Sequence, residues 1–99
     1  MRVIARRTLR EFWLLPDYAD SEGPLKAWYS EAVNADWKNP GDVKQQYASV
    51  SVLKDSRLVF NIAGNKYRLV VRVNYEAKIV FIRFIGTHKQ YDEIDAEVI

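Results

Sequence analysis

The second half of the chain contains three strand-like segments joined by two short turns, over residues 57–62, 66–75 and 78–85. Apolar and polar side chains alternate along the second segment, as in a strand with one buried face. The third segment is apolar at nearly every position, which is typical of a strand in the interior of a sheet. Residues 63–65 and 76–77 are short enough to be tight turns. This pattern predicts an antiparallel meander of at least three strands.

The first half of the chain has the periodicity of helices. Thr8 and Glu11 have the spacing of a capping box, which predicts a helix beginning there and ending before Pro16. Ser21 is expected to begin a second helix, whose apolar residues recur every three or four positions. Asn39, which is followed by a proline, is expected to cap a short third helix.

Two short elements complete the predicted fold. Residues 2–4 are expected to form a short edge strand, and Gly86 is expected to end the last strand of the meander. Thr87 is then expected to cap a last short helix that carries Tyr91. Ninety-nine residues suffice for one domain, 1–99. The predicted class is α+β, with helices packed on one face of a twisted antiparallel sheet.

The composition excludes several classes of protein. Cysteine is absent and there is a single histidine, so a disulfide scaffold, a thiolate zinc site and thiol catalysis are excluded. We expect no metal and no cofactor, because no nucleotide-binding or metalloprotease motif occurs. No apolar run approaches the roughly 18 residues of a membrane span, and the first residues lack a signal-peptide pattern. A soluble cytoplasmic protein is the expectation.

The net charge of +2 conceals an uneven distribution. Residues 1–53 carry seven basic and seven acidic side chains, and residues 54–91 carry eight basic against two acidic ones. Residues 92–99 carry four acidic side chains and no basic one. A basic segment of this kind suggests a polyanionic partner, whereas ordinary solvated lysines and arginines on a sheet are the simpler explanation.

The basic segment groups cations and proton-transfer side chains near the ends of adjacent strands, at Lys66, Arg68, His88, Lys89 and Tyr91. Cleavage of RNA through its own 2′-hydroxyl requires a base, an acid and positive donors for the charge on phosphorus. Arginine binds two phosphate oxygens at once, histidine transfers protons near neutral pH, and tyrosine stacks on bases. The set therefore suits cleavage of a phosphodiester without metal.

Each of these side chains also has a structural interpretation. Arg68 is equally explained as an exposed cation on a sheet face, and Lys66 as a solubilising residue beside a hairpin turn. His88 could bond the backbone of its turn, and Tyr91 could be a core aromatic of the last helix. Arg83 interrupts an apolar strand, where an arginine is more often part of a structural ion pair than a catalyst.

Two stretches of sequence resemble a known family. Val59-Phe60-Asn61-Ile62-Ala63-Gly64-Asn65-Lys66-Tyr67-Arg68-Leu69-Val70 and Ile82-Arg83-Phe84-Ile85-Gly86-Thr87-His88-Lys89-Gln90-Tyr91-Asp92 resemble HigB toxins of the RelE-like superfamily. The resemblance implies a ribosome-dependent endoribonuclease that cuts mRNA in the A site. It also implies a HigA-like helix-turn-helix antitoxin, with operator DNA bound only through the toxin–antitoxin complex.

The resemblance also assigns expected roles to individual residues. Arg68 matches the phosphate-stabilising arginine of RelE-type toxins, His88 occupies an acid–base position, and Tyr91 matches a late aromatic that stacks or assists proton transfer. The residues expected to hold the RNA are Lys66, Arg72, Lys89 and Asn61.

Two questions remain open at the level of sequence. The lysine-rich loop of RelE has no clear counterpart in this chain, where Lys54 and Arg57 are the nearest residues. His88 is therefore favoured for proton transfer, as either the base or the acid. Two non-catalytic alternatives use the same fold. One is an RNA- or ribosome-binding module, and the other is a structural partner whose exposed sheet face receives an antitoxin peptide.

Overall fold

The computed structural model describes all 99 residues of the chain. Its first half contains β1 (Arg2–Ile4), α1 (Arg6–Trp13), a 3₁₀ helix (Pro16–Ser21), α2 (Glu22–Asn34) and α3 (Pro40–Gln46). Its second half contains β2 (Ser51–Val52), β3 (Arg57–Ile62), β4 (Tyr67–Asn74), β5 (Ile79–Thr87) and α4 (His88–Asp92). None of the helices is long and apolar enough to cross a membrane.

The five strands form one sheet in the order β1-β5-β4-β3-β2. The meander of β3, β4 and β5 is antiparallel, as predicted, and β5 has a neighbour on each side. Residues 2–4 form the predicted edge strand, which pairs with β5 in the parallel direction and makes the sheet mixed. The α+β class predicted from the sequence is confirmed.

The hydrophobic core lies between the sheet and the helices of the first half. Alternate residues of β3 and β4, including Phe60 and Leu69, point into it and are almost fully buried. The Phe60 ring lies 5.4 Å from the Trp28 ring, 6.2 Å from the Trp37 ring and 5.0 Å from the Tyr47 ring, measured between centroids. We call this the inner face of the sheet; its counterpart on the other side is the outer face.

The predicted start of α1 is wrong. The helix begins at Arg6, two residues before Thr8, and Ala5 occupies the N-cap position without a side-chain hydrogen bond. The backbone N–H of Thr8 bonds to the carbonyl of Ala5, so Thr8 lies within the first turn and its hydroxyl is not at the cap. Glu11 pairs instead with Arg7, at 2.7 Å.

The other predicted helix starts lie where the sequence placed them. Asn39 caps α3, its side-chain oxygen accepting from the backbone N–H of Asp42 at 3.0 Å. Ser21 precedes α2, but its hydroxyl donates to the carbonyl of Tyr18, because the 3₁₀ helix runs directly into α2. Thr87 caps α4 in a complete capping box with Gln90.

The end of the sheet differs from the prediction at Gly86. This residue was expected to end the strand, but β5 continues through Thr87, because Gly86 still pairs with Arg68 of β4. The segment that follows β5 packs largely on the other side of the sheet from the core. Tyr91, Ala96 and Ile99 pack with Val59 and Val70, two outer-face residues. The C-terminal segment therefore lies on the outer face.

Candidate active site

The outer face is covered only in part. Val59 and Val70, in its middle, are 3% and 0% exposed because residues 91–99 pack over them. The segment continues toward β3, where the main-chain oxygen of Ile99 accepts from Nε of Arg57 at 2.9 Å. Residues 91–99 leave two polar regions of the outer face uncovered, one on each side of Val59 and Val70.

Arg68 lies in the first region. It is half-buried in β4, with Asn61 of β3 beside it on one side and Gly86 of β5 on the other. Its guanidinium makes one hydrogen bond, to the carbonyl of Asn65 at 3.4 Å, and has no carboxylate within 4.0 Å. Because its charge is not neutralised, this guanidinium is available to an anion.

Helix α4 begins two residues beyond Gly86 and carries three of the predicted residues to the same end of the sheet. His88 and Lys89 are exposed, and Nδ1 of His88 lies 3.3 Å from the carboxylate of Asp92 one turn later. Tyr91 is half-buried, with its ring against the Val59–Val70 cluster. Arg68, Asn61 and helix α4, which carries His88, Lys89 and Tyr91, therefore lie at the same end of the sheet, and we call this end the α4 site.

The position of α4 is fixed by Gln90. Its side-chain oxygen accepts from the backbone N–H of Thr87 at 2.9 Å, and the Thr87 hydroxyl accepts from the Gln90 N–H at 3.1 Å. Nε2 of Gln90 donates to the hydroxyl of Tyr18 at 3.1 Å. Tyr18 stacks on Phe12 with 4.5 Å between ring centroids, so α4 is anchored to the 3₁₀ helix and α1.

We expect Gly86→Ala to destabilise the protein and displace α4. A Cβ at this position would lie 2.5 Å from a ring carbon of Phe84 and 2.7 Å from the side-chain oxygen of Gln90. Crowding of this kind costs about 1–3 kcal/mol, which urea denaturation would measure. The matched control is Gly23→Ala in α2, where no atom lies within 4 Å and helix propensity favours alanine. Equal stabilities for the two variants would contradict this packing.

Lys66 lies at the β3–β4 turn, where it is held by an ion pair. Its ammonium pairs with the carboxylate of Asp20 in the 3₁₀ helix, and the hydroxyl of Tyr67 donates to the same carboxylate. Hydrogen bonds from Lys66 and Tyr67 lower the pKa of Asp20, and the bond with Asp20 raises the pKa of Lys66. This ion pair joins the β3–β4 turn to the 3₁₀ helix, so the sequence pattern alone did not show the local role of Lys66.

The Asp20 cluster predicts a pH dependence of stability. Because the folded-state pKa of Asp20 is below its ordinary value of 3.8, its contribution is complete above that pH and is lost as the pH falls through the folded pKa. Wild-type protein should therefore lose more stability than Asp20→Asn on acidification below about pH 4. Urea titrations at several pH values test this, with Asp17→Asn of the same helix as control. Parallel curves for wild type and Asp20→Asn would contradict it.

Arg72 lies in the second polar region with Arg83. Arg72 is exposed four residues along β4 from Arg68, which at the rise of a strand is about 13 Å. The structural ion pair favoured for Arg83 is wrong, because no carboxylate lies within 4.0 Å of its guanidinium. Arg83 is the extra residue of a β-bulge, since Val70 opposes Phe84 and Val71 opposes Ile82, and its side chain is exposed.

The α4 site has the composition needed for acid–base work on an anion. It contains an unpaired guanidinium, an imidazole with a carboxylate beside it, a phenol and an exposed ammonium at one end of the sheet. None of the three predicted catalytic side chains hydrogen-bonds to another. The catalytic roles of Arg68, His88 and Tyr91 stay predictions.

Comparison with known proteins now identifies the class. Residues 21–94 match the model of a family described as HigB toxin, the RelE-like toxic component of a toxin–antitoxin system. The chain is also 30% identical, over 94 residues, to the mRNA interferase toxin HigB of Escherichia coli (strain K12). That match covers 93% of this chain and 88% of the relative, and an mRNA interferase HigB of Shigella flexneri matches equally.

The fold and these matches define a toxic component of a toxin–antitoxin system, of the RelE-like kind. Within that class, the chain belongs to the HigB toxin family. The match includes β3, β4, β5 and α4, and so contains every residue of the α4 site.

Proposed function

We propose that this chain cleaves mRNA while the message is being translated on the ribosome. The observation that carries the proposal is the unpaired guanidinium of Arg68 at the same end of the sheet as His88 and Tyr91. The names of the relatives, which are mRNA interferases, agree with this chemistry.

The proposed reaction is an internal transfer within the RNA. The 2′-oxygen forms a bond to the neighbouring phosphorus, and the bond from phosphorus to the 5′-oxygen breaks. A base accepts the proton of the 2′-hydroxyl, and an acid gives a proton to the departing 5′-oxygen. The products are a 2′,3′-cyclic phosphate and a 5′-hydroxyl, and no step requires a metal.

The residues of the α4 site match these requirements. The guanidinium of Arg68 would bind the phosphate and stabilise the charge that develops on its oxygens. His88 would transfer a proton, with Asp92 orienting its ring through Nδ1 at 3.3 Å. Tyr91 would stack on a base or assist proton transfer, while Lys89 and Asn61 would hold the RNA.

The partners follow from the family and from the charge distribution. A toxin of this class has an antitoxin, which we propose is HigA-like with a helix-turn-helix, operator DNA being bound only by the complex. A net charge of +2 favours modest attraction to free RNA, so presentation of the message by the ribosome suits this chain. The site of action is then the cytoplasm, where messages are translated.

The ends of the products distinguish this chemistry from attack by a metal-activated water. We expect the downstream fragment to carry a 5′-hydroxyl, which polynucleotide kinase labels without prior phosphatase treatment. Untranslated RNA incubated with the same toxin is the control and should stay intact. A downstream 5′-phosphate would contradict the 2′-hydroxyl mechanism. Ribosome binding without any new RNA end would instead indicate the non-catalytic module.

A further inference from the structure

The second polar region of the outer face contains a pocket of about 520 Å³. The residues that line it come from β4, β5 and the two turns beside them, and they include Arg72, Glu76, Phe81 and Arg83. Residues 91–99, which cover the middle of the face, do not contribute to the lining. The pocket is thus separate from the α4 site and open to a ligand.

The two arginines of the pocket have no carboxylate partner. No Asp or Glu oxygen lies within 4.0 Å of the guanidinium of Arg72 or Arg83. Arg57, the neighbour of Arg72 on β3, differs: it is buried, bonds the main-chain oxygen of Ile99 and lies 3.8 Å from Asp55. Glu76 is the one acidic residue of the lining, so the pocket retains a positive charge.

Arg83 and Phe81 of β5 both line this pocket. Because they lie two residues apart on the same strand, ordinary alternation places both side chains on one face. The guanidinium of Arg83 lies 5.9 Å from the centre of the Phe81 ring, which restricts its position without neutralising its charge. A restricted, unpaired guanidinium next to a second one suits an anion with several oxygens.

We propose that Arg72 and Arg83 form a second phosphate-binding subsite, which holds the RNA strand at a distance from the bond that is cut. This inference rests on the proposed function, since it names a second contact of the same RNA. Arg72 lies on the same face of β4 as Arg68, about 13 Å along the strand. Residues 91–99 cover Val70 between the two arginines, so an RNA strand that meets both guanidinium sites passes over this segment.

The test measures binding of a short 2′-O-methyl RNA, which the toxin is unable to cut, by fluorescence anisotropy at several salt concentrations. We expect Arg83→Gln to weaken binding about tenfold, the usual effect of losing a hydrogen bond between charged groups. The slope of log affinity against log salt should fall by about 0.7 for the lost phosphate contact. Arg72→Gln should behave in the same way.

The matched control is Arg10→Gln, which removes the same charge from the exposed surface of α1. Its affinity and salt slope should stay close to wild type. Equal binding by Arg83→Gln and Arg10→Gln, or no binding by wild type, would overturn the subsite. Cleavage of translated message by wild type is measured in parallel. RNA binding that depends on Arg83, without cleavage, would support the subsite and contradict the proposed nuclease.

Discussion

Replacing Arg68 by alanine is expected to lower the rate of message cleavage by about 10²–10³-fold, the usual effect of removing one preorganised donor to a transition-state oxyanion. The effect should be large because the Arg68 guanidinium has no carboxylate partner and is free to bind the reacting phosphate. Primer extension on a translated message, under conditions of one turnover per toxin, measures the rate.

The fold should tolerate this substitution. The one hydrogen bond of the Arg68 guanidinium is long, at 3.4 Å, so little packing depends on it. Thermal unfolding of Arg68→Ala should match that of Arg10→Ala, which removes an exposed arginine of α1. If the two variants also cut message equally fast, Arg68 does not bind the reacting phosphate.

Replacing His88 by glutamine should lower the cleavage rate by about 10²–10⁴-fold, because a positioned proton-transfer group contributes that much. Glutamine retains a polar side chain of similar length, and the cap of α4 is provided by Thr87 and Gln90, so the helix should remain folded. We expect the cleavage rate at saturating toxin to fall. The toxin concentration that gives half of the maximal rate should change little.

Lys89→Gln on the same helix provides the comparison. Lys89 is exposed beside His88 and is expected to hold RNA, so its loss should raise the half-saturating concentration and leave the maximal rate largely intact. If His88→Gln shows this binding pattern instead of a rate defect, His88 binds the RNA and another group transfers the proton.

Local chemistry explains which parts of the fold the sequence predicted. The caps at Asn39 and Thr87 depend on side chains within three residues, and both form as expected. The boundaries of β3 follow from a short apolar run that ends at a tight turn, and the prediction over 57–62 is correct. The capping box at Thr8 fails because backbone bonds to Ala5 start the helix earlier.

The features of the structure that the sequence did not predict depend on contacts between distant segments of the chain. The bulge at Arg83 arises from the pairing of β4 with β5, and strand periodicity does not show it. The pairing of Lys66 with Asp20 joins residues 46 positions apart. The placement of Arg68 and α4 at one end of the sheet follows from the predicted meander, whereas the ion pair that holds Lys66 does not.

The central claim is that this chain cuts message only during translation. Primer extension on a reporter message in a reconstituted translation reaction tests this most directly. We expect wild-type toxin to produce new ends within the reading frame, and these ends should disappear when initiation is blocked. An intact message during active translation, or the same ends on RNA without ribosomes, would contradict the claim.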